Sequence, residues 1–451
     1  MKKIALLTLI AAAISITGCN NKRNQPDDED KLKDDEVRVR LPHNMNDKAQ
    51  DYDVIFRFDD AFFKEDAKTF NQELALLSLG NTFCSANSIY VGAFYQRLQF
   101  DTNVKYVNYS IAATENTVAY SIAHKKIDNF DLLAITIRGF DYGKEWANNF
   151  YLGETGNHAG FQARADEIYA DLKSEISSHN YENLKLWITG YSRGGGISNV
   201  LSHQILSSDE INIAQENMFV YTFEAPRGLL EENAIPYPNV HNVINNADLI
   251  TYAAPVQYGL YRCGVDVQIY SENSNLGRLL YDLDEDISFP TFTPKEGDYE
   301  NQQQFIEYIF NQITREITDE DEQDKSAHTR QDFVDNYQDG ITYLVGLFFT
   351  LDNSTVNKMT TAIDEMTITQ KLSLAATDGI YKFVKPILDE DHVSYDDETL
   401  HASCNVATKF LQSNAVVAFA LFNNMDNAKH VIYMHMPEAE YVLLKDLKIY
   451  E

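Results

Sequence analysis

The chain has 451 residues, with 37 Lys and Arg against 68 Asp and Glu, a formal charge of −31 at pH 7. That balance supplies no basic patch for a phosphate backbone and argues against a nucleic-acid partner. A hydrophobic content of 44% excludes a disordered chain, and four cysteines without CxxC spacing make neither a disulfide scaffold nor a metal site.

In chain order, Lys2 and Lys3 precede an apolar run, Ile4–Ile16, that is too short to span a bilayer and reads as an export signal. Residues 20–52 carry little apolar content and read as a flexible acidic tether. Of the remaining cysteines, Cys84, Cys263 and Cys404 are odd in number, so at most one pair can form.

From about 55 to 100 the pattern is helical, with a break at Gly80-Asn81. Strand-like runs follow at 104–110, 117–123 and 132–137, then an amphipathic helix over 158–179 with Phe161, Ala165, Ile168, Tyr169 and Leu172 on one side. A strand at 184–189, a helix at 194–206 and strands at 218–223 and 240–244 complete the alternation. That alternation predicts an α/β fold with a mostly parallel sheet between helices. Residues 264–330 are acidic, and apolar helices are expected at 341–351, 359–374 and 415–422. The expected organisation is therefore a leader (1–19), a tether (20–52), an α/β core (53–263), an acidic and helical cap insertion (264–428) and a returning C-terminal segment (429–451).

The chemistry lies where strand 184–189 runs into Gly190-Tyr191-Ser192-Arg193-Gly194 and then a helix. G-x-S-x-G in a strand–turn–helix setting lifts a serine hydroxyl onto a strained turn at a helix N-terminus, where negative charge is favoured. Ser192 is the candidate nucleophile. Asp248 follows a strand and is the only carboxylate between 235 and 264, which makes it the candidate acid.

Five segments together resemble the lipase class 3 family of α/β-hydrolases. Ile135–Phe140 with Trp146 and Asn148-Asn149 is similar to "FRGT…W..N", and His158–Phe161 to "H.GF". Trp187–Gly196 is similar to the nucleophile elbow, Thr222–Gly228 to "TFGAPR.G", and Asn245–Ile250 to "N..D.V". The resemblance implies an α/β-hydrolase fold with a Ser-Asp-His triad and no cofactor or metal. Met434–Tyr441 resembles the "H.PE.Y" ending of bacterial relatives, which favours His435 as the base over His392, whose Asp391–Tyr395 context resembles the "DH..Y" of other members. The backbone N–H groups of Phe140 and Arg193 are the expected oxyanion donors. Phe140 replaces a hydroxyl residue of the family, and Tyr191 and Arg193 replace its His and Leu. Arg138 is expected to pair with a carboxylate beneath the loop. Ile16–Cys19 resembles the lipobox of bacterial lipoproteins, which implies a lipid on Cys19 and an extracytoplasmic enzyme anchored in the cell envelope.

The implied function is hydrolysis of carboxylic esters, either of lipids or of polar acylated substrates; a net charge of −31 opposes anionic lipid. The alternative is a non-catalytic envelope or binding lipoprotein on a hydrolase scaffold. Acyl chain length, membrane leaflet and oligomeric state stay open at this level.

Overall fold

A computed structural model describes residues 32–41, 52–111, 114, 116–139, 143–269, 273–285, 287, 289–314, 329–348, 351–367, 370, 373–374, 376–413 and 425–447. Cys19, Phe140 and the expected helix at 415–422 lie outside the described residues.

Runs such as Phe130-Asp-Leu-Leu-Ala-Ile-Thr-Ile137 and Met218-Phe-Val-Tyr-Thr-Phe223 are buried at every position. A strand with that pattern needs cover on both faces, which is how parallel strands are built. Among the described residues the main sheet has seven strands in the order β11-β9-β7-β6-β5-β4-β3. They are β3 (Lys105–Val107), β4 (Tyr120–Ile127), β5 (Phe130–Ile137), β6 (Lys185–Tyr191), β7 (Met218–Phe223), β9 (Val240–Asn245) and β11 (Val265–Ile269). From β5 to β11 all neighbours are parallel, while β4 pairs antiparallel with both β3 and β5. Two short strands, β8 (Leu229–Leu230) and β10 (Leu260–Tyr261), pair separately. This is the mixed, mainly parallel sheet of an α/β-hydrolase.

Alternate side chains leave β5–β7 for opposite faces. Leu133, Ile135, Leu186, Ile188 and Val220 meet α3 (Ala159–Ser178) and α4 (Arg193–Leu206) in one apolar cluster. Leu132, Ala134, Trp187 and Phe219 belong to the other, with α1 (Gln72–Cys84), α2 (Ser88–Arg97) and the C-terminal helices. Asn71 caps α1 by accepting from Leu74 N at 3.0 Å, and Trp187 Nε1 donates to Ser78 Oγ at 2.8 Å, pinning α1 to β6.

Two segments differ from expectation. Within the presumed tether, β1 (Glu36–Leu41) pairs antiparallel with β2 (Tyr52–Arg57), which itself falls where a helix was expected to begin. The reason is a short period-2 pattern: Val37, Val39 and Leu41, then Val54 and Phe56, all point into the core over α1, while Arg38, Arg40 and Asp53 remain outside. The sheet also continues past residue 263, because Val265–Ile269 adds a parallel edge strand to β9.

The rest is helical: α5 (Asn273–Leu283), α6 (Gln302–Ile313), α7 (Arg330–Asn336), α8 (Gln338–Phe348), α9 (Asn353–Asp364), α10 (Gly379–Glu390), α11 (Asp397–Ser413), α12 (Met425–Tyr433) and α13 (Pro437–Asp446). None of the described helices is long and apolar enough to cross a membrane. Ile341, Leu344 and Phe348 of α8 are buried, and α8 packs on the turn Gly143–Phe150 that follows β5. α13 is covered along nearly its whole length, so the chain's last described helix is core and not a tail.

Candidate active site

Ser192 sits between β6 and α4 at φ +53°, ψ −123°, a conformation costly for any side chain and held by its surroundings. Ser192 N donates to the Phe223 carbonyl at 2.8 Å, and the Ser192 carbonyl accepts from Gly196 N at 3.0 Å. Close approach explains two neighbouring glycines. A Cβ at Gly190 would overlap the Gly194 carbonyl, and one at Gly139 would overlap the Tyr191 carbonyl. The turn therefore closes tightly, with the end of β5 directly against it.

Asp248 lies just beyond β9. Its Oδ1 accepts from Ile250 N at 2.8 Å, which leaves Oδ2 to accept from His435 Nδ1 at 2.6 Å. His435 Nε2 is then 2.8 Å from Ser192 Oγ and accepts its proton. All three side chains are at most 3% exposed. The structure thus brings together the three residues singled out in the sequence, in the nucleophile–base–acid order that acyl transfer needs.

His435 arrives from the opposite end of the chain, in the turn between α12 and α13. Its N–H donates to the Ile432 carbonyl at 2.9 Å, Leu249 N donates to the Val431 carbonyl at 3.2 Å, and Pro437 opens α13. Tyr191, where the resembled family has His, donates its hydroxyl to the His435 carbonyl, and its ring lies 5.4 Å from the imidazole. Burial and the surrounding carboxylates hold the Tyr191 hydroxyl well above its ordinary pKa, so it remains a donor.

The other described histidines are elsewhere, and His328 lies outside the described residues. His392 is exposed on the turn after α10, His401 pairs with Asp378 at 2.8 Å, and His430 bonds the Pro290 carbonyl at 2.8 Å. His158 caps α3 and bonds the Asn149 carbonyl at 3.0 Å; burial pushes its pKa down to about 3, which keeps it neutral.

Beneath the elbow is a buried charge network. Arg138 Nη2 donates to Glu145 Oε1 at 2.5 Å, the carboxylate pairing expected from the sequence. Arg193 Nη1 lies 3.3 Å from Glu145 Oε2, and its Nη2 donates to the Thr117 carbonyl at 3.0 Å. The Arg193 side chain is thus tied below the turn. What Arg193 can offer a substrate is its backbone N–H at the start of α4. Cys84, Cys263 and Cys404 are all free and buried; burial pushes the Cys84 and Cys404 thiols up to about 12, so none is poised as a nucleophile.

Sequence reasoning missed Glu145, Glu224 and Glu440, all fully buried near the site. The available signals were Glu224 standing at the glycine of "TFGAPR.G" and a second acidic residue in the "H.PE.Y"-like ending.

The profile of the family described as Lipase (class 3) matches residues 134–258. No curated protein matches the chain. Similar solved structures include a fungal lipase in an inhibitor complex (18% identity over 45% of this chain and 81% of that one, TM-score 0.36). A lipase from Rhizopus microsporus var. chinensis (17% identity, 52% and 83% covered, TM-score 0.35) and the Rhizomucor miehei triacylglyceride lipase (19%, 46% and 83%, TM-score 0.33) are also similar.

Proposed function

Because residues 134–258 match the lipase class 3 family, we propose that this protein is a serine hydrolase that cleaves carboxylic esters through an acyl-enzyme on Ser192. The observation that carries the reading is the unbroken relay from Asp248 Oδ2 to His435 Nδ1 at 2.6 Å and from His435 Nε2 to Ser192 Oγ at 2.8 Å.

In this reading His435 takes the Ser192 proton as Oγ attacks the ester carbonyl, and Asp248 fixes the imidazole tautomer and stabilises the imidazolium. The developing oxyanion is received by backbone N–H groups of Arg193 and Phe140. The first of these gains from the N-terminal end of α4. Protonated His435 then releases the alcohol, and water activated by the same imidazole frees the acid. The Ile4–Ile16 run and the Ile16–Cys19 lipobox support a bacterial lipoprotein held in the cell envelope by a lipid on Cys19.

Release of p-nitrophenol from butyrate and palmitate esters by residues 20–451, beside Ser192→Ala, tests the chemistry. Activity in the parent and loss in the variant are expected, and the chain-length ratio separates lipids from short polar acyl groups. A parent that neither turns over esters nor reacts with a fluorophosphonate sinks the hydrolase reading. For the anchor, Cys19→Ala should move the full chain from the membrane to the soluble fraction.

A further inference from the structure

Beside Asp248, three elements bring acidic side chains together out of reach of solvent. Glu224 follows β7 at φ +48°, and its carboxylate oxygens accept from Asn245 N at 3.2 and 3.3 Å. Glu440 comes from α13 and Asp248 from the end of β9; all three are 0% exposed. Asn245 joins Glu224 to Asp248, since its N–H bonds the Glu224 carboxylate and its carbonyl accepts from Asp248 N at 3.0 Å, and the Glu224 carboxyl interacts electrostatically with both Glu440 and Asp248. Among the described residues neither Glu440 oxygen finds an N–H or hydroxyl donor.

Among the described residues, the titratable groups that act on one another here are Tyr191 from β6, Asp248 just beyond β9, Glu438 and Glu440 from α13, and Glu224 itself. His435 bonds Asp248 Oδ2. α13 packs on α1 and α5, but Glu73 of α1 is exposed, and Arg278 and Asp282 of α5 pair with each other at the surface. Lys445 of α13 reaches the Tyr441 hydroxyl instead, and His430 of α12 bonds the Pro290 carbonyl. Among the described residues no group of three His, Cys, Asp or Glu side chains is disposed to hold a metal ion. Carboxylates confined without a cation cannot all ionise.

We propose that Glu224 is a positioning residue for the triad: as a neutral carboxylic acid, backed by a neutral Glu440, it donates a hydrogen bond to Asp248 and leaves Asp248 the charged member of the group. The proposal rests on the ester-hydrolase reading and adds to it a donor to Asp248 besides Ile250 N and His435 Nδ1. It also accounts for a glutamate at a backbone conformation that favours glycine, because a glycine there would leave Asp248 without that donor. Burial and the neighbouring carboxylates hold Glu224 well above the ordinary carboxylate range and push Glu440 up to about 8.

The sign of the pH effect follows. Glu440 keeps its proton in the folded state where the unfolded chain, with the ordinary value of 4.5, has lost it. The stabilising contribution is therefore complete below about pH 4.5 and is lost as pH rises toward 8. Once Glu440 ionises, its carboxylate competes with Asp248 for the single O–H of Glu224, and Asp248 loses its donor. Ester hydrolysis should accordingly fall as pH passes about 8.

The test compares kcat, KM and pH profiles on p-nitrophenyl butyrate for the parent, Glu224→Ala, Glu224→Gln and Glu440→Gln, with Ser192→Ala as blank. Glu224→Ala should lower kcat on the order of tenfold with KM unchanged, the effect of losing one hydrogen bond to a charged group. Glu224→Gln, whose amide N–H still donates, should recover most of it. Glu440→Gln should remove the alkaline limb and flatten the fall of Tm between pH 5 and 8. Full activity in Glu224→Ala, no recovery in Glu224→Gln, or an unchanged limb in Glu440→Gln would each overturn the proposal. Should Glu440→Gln not fold, the infrared band of a protonated carboxylic acid in the parent at pH 7 decides: its presence supports the retained proton and its absence overturns it. A chain inert to fluorophosphonate defeats the hydrolase reading and the positioning role with it, while the Tm slopes still decide whether the pair holds its protons.

Discussion

The two halves of the candidate site are assembled in opposite ways. Ser192 and Asp248 stand on the ends of β6 and β9, on either side of β7 in one sheet, and are placed by turns of a few residues. His435 comes from 187 residues beyond Asp248 and is placed by helices packed against α1 and α5 and by single bonds to Leu249 and Tyr191. The first half needs only local sequence and strand order. The second depends on the whole C-terminal region being folded, so activity reports on that packing as well as on the chemistry.

Four substitutions would break or sharpen this contrast. His435→Ala should lower kcat by about 10⁴-fold or more, because nucleophile and base act as a unit. Tm and fluorophosphonate reactivity measured together would show whether the sheet half stays folded while reactivity disappears. Glu145→Gln leaves Arg138 and Arg193 buried without their carboxylate and should cost roughly 3–5 kcal/mol of stability by urea titration. This locates the weak point of the sheet half in its charge network.

Arg330 of α7 ties the C-terminal region to the sheet half. Its guanidinium donates to the carbonyls of Gly153 and Gly156 at 2.7 Å and of Leu152 at 2.5 Å, in the loop that leads into α3. Arg330→Ala should lower stability by about 2–3 kcal/mol, and limited proteolysis should then cut the 152–157 loop before the strands. Tyr191→Phe removes only the donor to the His435 carbonyl. The expected loss is about 1 kcal/mol in Tm-derived stability, with a fall in kcat larger than any change in KM, since the imidazole loses a support that binding does not use.

Legibility in the sequence follows the same division. β5, β6, β7 and α3 lie within a few residues of where hydrophobic runs and turn residues put them, because each is a strong local pattern with an unambiguous period. Ser192 and Asp248 were readable for the same reason: a strand-end turn is encoded beside the residue it presents. β1 was lost because three alternating apolar residues embedded in an acidic stretch are a weak signal. They become a strand only through α1, against which Val37, Val39 and Leu41 bury. The glutamates at 145, 224 and 440 look like surface residues in a chain with 68 acidic side chains; only departures from the resembled motifs set Glu224 and Glu440 apart, and nothing local marks Glu145.

The amino-acid order alone therefore determined the alternating α/β core, the strained serine turn and the Ser192 and Asp248 candidates, with His435 favoured over His392 by resemblance alone. Tertiary structure decided that His435 and not His392 meets Asp248, that Arg193 turns its charge down toward Glu145, and that Glu224 and Glu440 come together beside the acid out of reach of solvent. The physical reason is range. Strand, turn and helix preferences act over a few residues, whereas burial, proton retention and the alignment of a base with its nucleophile depend on groups hundreds of residues apart meeting where water is excluded.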